Sequence, residues 1–348
     1  MPDVWFAIPG DLETLTGGYA YARRLMEALP TAGWFPHHLP LPAGFPNPSD
    51  ADIAATREVL LALPPETPVL VDGLAFGALP RAVIEEFNLS LTALVHHPLA
   101  DETGVPAADA ARLKDSEHAA LALAQSVVAT SPHTVETLAR DYKVPRERLY
   151  LAPPGTDAAP RAHNAGPIPK LLTVATLTHR KAHDVLIAAL SQIADLAWTS
   201  DLVGSLDRDA AVTARVRDLI AAHGLQDRVT LRGEMKDAAL AKIYGGADIF
   251  VLPSRHEGYG MVFAEALACG IPVVACAAGA VTETVPTATG ILVPPDDPVA
   301  LAAALRKMVS NQAYRRHLGE AAWAHGQTLP RWTDTAAEVA EALWAALP

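Results

Sequence analysis

The chain has 348 residues, 50% of them hydrophobic and 19% charged, which at about 150 residues per domain indicates two globular domains and excludes a mainly disordered chain. No apolar stretch reaches the roughly 18 uninterrupted residues of a membrane span, because the longest, ALACGIPVVACAAGAV, is cut by Gly270, Pro272 and Gly279. The net charge of −12 sits mainly in residues 1 to 160, with 20 acidic against 10 basic side chains, while residues 161 to 348 carry 19 against 17; such an N-terminal half repels nucleic acid and anionic lipid headgroups.

The opening MPDVWFAIPGD reads as a strand and lacks the basic and apolar regions of a secretory signal, so the expected compartment is the cytoplasm. Next come a bare Gly17-Gly18 and a helical run, then GWFPHHLPLPAGF. That segment places Trp34, Phe35 and Phe45 either on a surface for a lipid or in a second strand. Strand-like runs then alternate with alanine-rich helical stretches: PVLVDG, LTALVHH, SVVATS and RLYLAPPG in the first half, and KLLTVATL, TSDLVGS, RVTLRG, ADIFVLPS, IPVVACA and GILVPP in the second. This alternation predicts two doubly wound α/β domains with parallel sheets, and the cleft between them is the default site. The segment from Pro153 to Pro169, dense in Pro, Gly, Ala and Asn, reads as the linker. A last helix from Trp332 to Leu347 follows Pro330, with Thr333 or Asp334 as its N-cap and an apolar face needing a partner. Cys269 and Cys276 match no zinc spacing and read as small buried residues.

The most informative stretch runs from Arg255 to Ala275. It follows the strand ADIFVLPS and holds a Gly-x-Gly turn and two glutamates, Glu257 and Glu265, eight residues apart. Glu257 falls in the strand-to-helix turn at the carboxyl edge of the sheet. Eight helical steps come to roughly 80° past two full turns, so Glu265 lies near the same face. Two carboxylates beside a helix N-terminus suit a phosphate-linked sugar, with hydroxyls on the carboxylates and phosphate oxygens on the amides. Spacing alone also permits a structural turn with two surface glutamates.

EGYGMVFAE, preceded by LPS and followed by ALACGIPVVA, resembles the signature of family 4 retaining glycosyltransferases of the GT-B fold. The resemblance extends in order through TGGYAYARRLMEAL, TALVHH, APPGTD, TLTHRKAHDVLIAAL, GAVTETV, GILVPPDDP and the terminal helix. It implies two Rossmann-like domains facing a deep cleft, an acceptor-binding domain of residues 1–158 joined by the helix 332–347, and a donor-binding domain of residues 159–330. It implies that Glu257 contacts donor hexose hydroxyls, that Glu265 holds the ribose hydroxyls, and that Gly258, Tyr259, Gly260, Met261 and Val262 line the sugar and diphosphate. Arg180 and Lys181 match the basic pair that neutralises the leaving diphosphate, and His96 matches the histidine that faces the donor sugar. His97 points elsewhere if the strand is regular. Gly17 and Gly18 allow close approach of phosphate or acceptor, and Glu234 and Met235 fall where the base binds. The sequence departs from the pattern at Thr176, where many members carry arginine, and at Ala182, where they carry glycine.

No cofactor or metal is expected, because the Asp50/Asp52 and Asp207/Asp209 pairs fall at helix starts, His179 and His183 have no further ligand in view, and the basic loop supplies the cationic charge. The implied reaction moves a hexose from a UDP-sugar or GDP-mannose to the hydroxyl of a small molecule, a saccharide or a lipid such as diacylglycerol, with retention. Peripheral contact with a membrane and the oligomeric state stay open. The alternatives are a nucleotide-sugar 2-epimerase of the same fold and a non-catalytic nucleotide-sugar-binding subunit. A nicotinamide dehydrogenase is disfavoured, since PGDLETLTGGY does not fit Gly-x-Gly-x-x-Gly.

Overall fold

The computed structural model describes residues 1–163 and 166–348. They divide into two compact units, the first formed by Met1–Gly155 with Pro330–Pro348 and the second by Thr156–Leu329.

The first unit is built on six strands: β1 (Asp3–Pro9), β2 (Phe35–Leu41), β3 (Pro68–Asp72), β4 (Ser90–Val95), β5 (Ser126–Ala129) and β6 (Leu149–Leu151). They pair in parallel in the order β2-β1-β3-β4-β5-β6. β4 is buried at every position, which explains why SLTALV reads as a continuous apolar run rather than an alternation. The segment weighed as a lipid surface is the edge strand β2 and its flanks. Trp34 is fully buried, Phe45 is buried, and only Phe35 is exposed, at 48%. The reason is that β2 pairs along its whole length with β1, which turns Trp34 into the core.

The final helix, Trp332–Ala345, seats Ala336, Val339 and Leu343 in the first unit. Ser126 Oγ donates to the Ala342 carbonyl at 2.9 Å, Thr335 Oγ1 donates to the Pro153 carbonyl at 2.7 Å, and Trp332 packs edge-on against Tyr21. Its N-cap is Arg331 rather than Thr333 or Asp334; Asp334 lies inside the first turn and accepts the Arg331 N–H at 2.7 Å. A carboxylate there offsets both a free amide and the positive helix end.

The second unit repeats the plan with β7 (Lys170–Val174), β8 (Thr199–Val203), β9 (Val229–Gly233), β10 (Ile249–Leu252), β11 (Val273–Cys276) and β12 (Gly290–Val293). The order is β12-β11-β10-β7-β8-β9, again all parallel. Successive side chains face opposite sides of the sheet. Leu171 therefore joins one apolar cluster with Leu186, Leu190 and Leu305, while Leu172 joins another with Phe250, Phe263 and Leu267. Much of the expected linker is tied down. Ala162 N–H donates to the Cys269 carbonyl at 2.8 Å and His163 N–H to the Gly245 carbonyl at 2.9 Å, both inside the second unit. Asn164 and Ala165 of that segment lie outside the described residues. Cys269 and Cys276 are free and buried. No helix among the described residues is long and apolar enough to cross a membrane.

Candidate functional site

In the second unit the loops after β7, β10, β11 and β12 meet at the carboxyl edge of the sheet, where open α/β sheets place their ligands. Lys181 ends a short turn, His179–Lys181, after β7. The next residue, Ala182, is fully buried in the left-handed conformation at φ +52°, ψ +41°, and starts the helix His183–Ser191. Glycine adopts that conformation more readily; alanine, with only a methyl to place, accepts it.

Glu257 comes from the loop after β10 and is 4% exposed. Its Oε1 accepts from Lys181 Nζ at 2.5 Å and Ser254 Oγ at 2.6 Å, and its Oε2 from Arg180 Nη1 at 3.3 Å. Burial by itself would raise this carboxyl. The Lys181 and Arg180 charges and the hydrogen bonds from Lys181 and Ser254 outweigh burial and hold it down at about 2. Glu257 is therefore an acceptor at neutral pH and has no proton to give. Its backbone is clasped too: Ala280 N–H donates to the Glu257 carbonyl at 2.9 Å, and a Cβ on Gly279 would lie 2.3 Å from that oxygen.

Arg255, which no motif marked, stitches the loops together. Its N–H donates to the Arg180 carbonyl at 2.8 Å, its Nε to Asp296 Oδ1 at 2.8 Å, its Nη1 to the His179 carbonyl, and its Nη2 to both Asp184 oxygens at 3.3 Å. Arg180 Nη1 returns a bond to the His256 carbonyl at 3.1 Å. A planar fork with five donors suits this task in a way lysine does not.

Gly260, at φ +86°, caps the helix Met261–Ala268, whose first-turn amides point out of the helix end. A Cβ on Gly260 would come within 2.5 Å of the Phe263 ring, so only glycine fits. Gly258 is buried, while Tyr259, Met261 and Val262 are partly exposed around this turn. Thr284 Oγ1 holds the Tyr259 carbonyl at 2.7 Å. Glu265 lies on the same helix, but its surroundings differ from those of Glu257. Tyr244 O–H donates to Glu265 Oε2 at 2.8 Å, and burial, outweighing that bond, raises its carboxyl. The pair read from spacing as two like carboxylates is thus one carboxyl held down by cations and one pushed up by burial. Glu234 is exposed just past β9, and Met235 packs partly against the cluster around Phe250 and Phe263.

His183 is 1% exposed and neither ring nitrogen has a hydrogen-bond partner among the described residues. Burial, reinforced by Lys181, lowers it to about 4, so it is a neutral core imidazole. Asp52 and Asp209 serve helix ends: Asp52 closes a capping box with Ser49, and Asp209 Oδ1 accepts the Val212 N–H at 3.0 Å. Among the described residues no three His, Cys, Asp or Glu side chains form a metal-ligating group.

The other expected residues belong to the first unit. His96 follows β4, with Nε2 3.9 Å from Asp72 Oδ2 and its ring edge-on to Tyr21. Gly18 is the second residue of the helix Gly17–Ala28, and a Cβ there would lie 3.5 Å from His96 Nε2, so this helix end stands beside the imidazole. Burial, with the His97 charge, lowers His96 to about 4; burial raises Asp72 to about 6 against the Leu74 N–H and His97. His97 turns instead to Glu102, at 3.5 Å. Tyr244 and Arg255 were missed because they act across 21 to 76 residues with no local pattern, and Asp72 because it meets His96 only through the pairing of β3 and β4; Ser254, three residues before Glu257, carried no spacing rule of its own.

Residues 157–325 match the family described as glycosyl transferases group 1. A D-inositol 3-phosphate glycosyltransferase of Xylanimonas cellulosilytica is 31% identical over 242 residues, 64% of this chain and 57% of that protein. The chain thus spans little more than half the length of that curated relative. Sucrose-phosphate synthase from Thermosynechococcus elongatus superposes with a TM-score of 0.83 at 26% identity over 98% of both chains. Anabaena HepE in complex with UDP and glucose superposes with a TM-score of 0.78 at 18% identity over 99% of this chain and all of that one. The extent of these superpositions shows the GT-B fold.

Proposed function

From the premise that residues 157–325 belong to the glycosyl transferases group 1 family, we propose that the chain transfers a hexose from a nucleotide diphosphate sugar to an acceptor hydroxyl, with retention at the anomeric carbon. The observation that carries this reading is the buried Glu257 gripping Lys181 and Arg180 beside the Gly260-capped helix. Such an arrangement is pre-organised to receive a diphosphate: the cations and the helix end stabilise the negative charge that grows on the leaving group, and Glu257 accepts sugar hydroxyls. Held ionised, Glu257 has no proton to donate, and front-face attack, in which the leaving phosphate takes the acceptor's proton, asks none of it. The base falls at Glu234 and Met235 and the ribose at Glu265. HepE, whose structure holds UDP and glucose, favours a UDP-sugar as donor.

The acceptor falls to the first unit, at Gly17, Gly18 and His96. Neutral at physiological pH, His96 can give or take a hydrogen bond from a hydroxyl. A small phosphorylated polyol or sugar is favoured over diacylglycerol, because two relatives are named for such compounds and because Trp34 and Phe45 are spent on packing. The cationic pair supplies the charge that a metal would otherwise bring, so transfer proceeds without one.

Thermal denaturation with millimolar UDP, GDP and ADP, with and without chelator, tests the donor site. A ligand at 100 times its dissociation constant adds about 2.7 kcal/mol, a shift of several degrees. We expect one nucleotide to raise the midpoint, the shift to survive chelator, and Lys181→Ala to abolish it while lowering turnover about 100- to 1000-fold. No shift with any nucleotide overturns the donor site, and a β-linked product from an α-linked donor overturns retention.

A further inference from the structure

Tyr244 stands directly behind Glu265. It belongs to the helix Asp237–Gly245, is 4% exposed, and its ring stacks on Phe250 at 6.1 Å with 16° between planes. Phe250 is in turn packed edge-on by Phe263 at 5.7 Å. A phenol wedged in an apolar wall cannot swing away, so its hydroxyl has a fixed address. That address is Glu265 Oε2 at 2.8 Å, with the Val262 carbonyl at 3.5 Å as a longer second neighbour. Among the described residues Tyr244 is the hydrogen-bond partner of Glu265. A carboxylate offers about four lone-pair sites, and Tyr244 takes one on one oxygen. The remaining sites belong to a residue that is partly exposed on the helix behind the Gly260 turn.

We propose that Tyr244 is the positioning residue that orients Glu265 to accept both hydroxyls of a ribose, and that it thereby sets a preference for ribonucleoside over 2′-deoxyribonucleoside diphosphates. This rests on the reading of the second unit as the donor-binding unit. The physical reason is that a glutamate has three rotatable bonds, and a diol needs the carboxylate plane in one orientation. A hydrogen bond from a clamped phenol removes that freedom before the ligand arrives. Tyr244 also opposes protonation. The groups facing Glu265 are Tyr244 from the preceding helix, Cys269 from its own helix, and Asp157 from the segment ahead of β7; burial and Asp157 push its carboxyl up, and the Tyr244 bond pulls it down. Removing the hydroxyl leaves a carboxyl that takes up a proton more readily and then accepts fewer hydrogen bonds from a diol.

The test measures dissociation constants of UDP, GDP, ADP and their 2′-deoxy and 3′-deoxy counterparts by calorimetry from pH 5 to 8, for the unaltered protein, Tyr244→Phe and Glu265→Gln. The unaltered protein should favour the ribo form of the nucleotide it binds. Tyr244→Phe, which keeps the ring and the packing, should weaken that form about five- to tenfold while leaving the deoxy forms nearly unchanged, so the preference narrows. The acid-side weakening should move to higher pH in Tyr244→Phe and shrink in Glu265→Gln to the part that the nucleotide's own terminal phosphate contributes. A merely structural tyrosine would weaken all forms alike. A folded Tyr244→Phe with the original preference and pH profile overturns this inference, as does a Glu265→Gln protein that still discriminates. Absence of binding by the unaltered protein overturns the donor-site reading itself, which keeps the two failures distinct.

Discussion

The carboxyl edges of the two sheets present buried carboxyl groups in similar positions, yet those groups are shifted in opposite directions. In the second unit Glu257 is pulled down to about 2, because Lys181 and Arg180 stand against it. In the first unit Asp72 is pushed up to about 6 and His96 down to about 4, since burial outweighs the weaker pull of His97 on Asp72 and joins it on His96. Desolvation acts on both edges alike; countercharge is what differs. The architecture thus decides that a group at a strand end is buried, and the loops decide whether it stays charged. The second unit's edge holds an anion against two cations, whereas the first unit's edge holds a neutral imidazole beside a carboxyl that lacks such close cations.

Three substitutions would break or sharpen that contrast. The largest effect is expected for Glu257→Gln, which leaves two largely buried cations facing a neutral amide. Stability at pH 7 should fall by about 3–5 kcal/mol in urea unfolding. The sign follows from linkage. A carboxyl lowered from 4.5 to about 2 contributes stability that is present above pH 4.5 and lost as pH falls toward 2, so the variant should lack that part of the acid limb. A loss below 1 kcal/mol would mean the ion pairs offset little of the burial.

An intermediate effect is expected for Glu117→Gln in the first unit. Glu117 is 1% exposed and accepts the Leu99 N–H at 2.9 Å, and burial raises its carboxyl to about 8. The folded chain keeps a proton that the unfolded chain releases near 4.5, so stability from this group is lost as pH rises from 4.5 through 8. Glutamine does not titrate and can still accept from Leu99. The variant should therefore melt several degrees higher than the parent at pH 8 and nearly together with it at pH 4.5; parallel melting curves across that range would refute the assignment. The smallest effect is expected for Asp72→Asn. The amide oxygen can keep the Leu74 N–H, so stability at pH 7 should change by under about 1 kcal/mol, a small difference beside Glu257→Gln. A loss as large as that of Glu257→Gln would show that the folded chain stabilises the Asp72 charge as strongly as that of Glu257, and the contrast would collapse.

The legible part of the site was the part written in contiguous residues. The Glu257 to Glu265 spacing, the Gly260 turn and the Arg180-Lys181 pair each lie within one loop and one helix, where spacing and backbone rules apply directly. What could not be read is how those pieces are fastened. Arg255 reaches Asp184 and Asp296, 71 and 41 residues away, and Tyr244 reaches Glu265 from a different helix. Nor did the spacing reveal that the two glutamates are shifted in opposite directions, because that depends on which side chains arrive from elsewhere in the fold. GWFPHHLPLPAGF was ambiguous for a related reason: an edge strand beside β1 and an exposed aromatic surface have the same composition, and only the pairing partner decides between them.

Sequence alone determined the alternation of short apolar strands with helices, and hence two parallel α/β sheets, because strand and helix periods are local properties of the chain. It also determined which residue types stand at each strand's carboxyl end. Tertiary structure decided that residues 330–348 complete the first unit, that residues 162 and 163 bind the second, and that Glu257 is held ionised while Glu265 and Asp72 are driven toward neutrality. Those outcomes depend on burial and on charges brought within a few ångströms by distant segments, quantities that do not exist until the chain has folded.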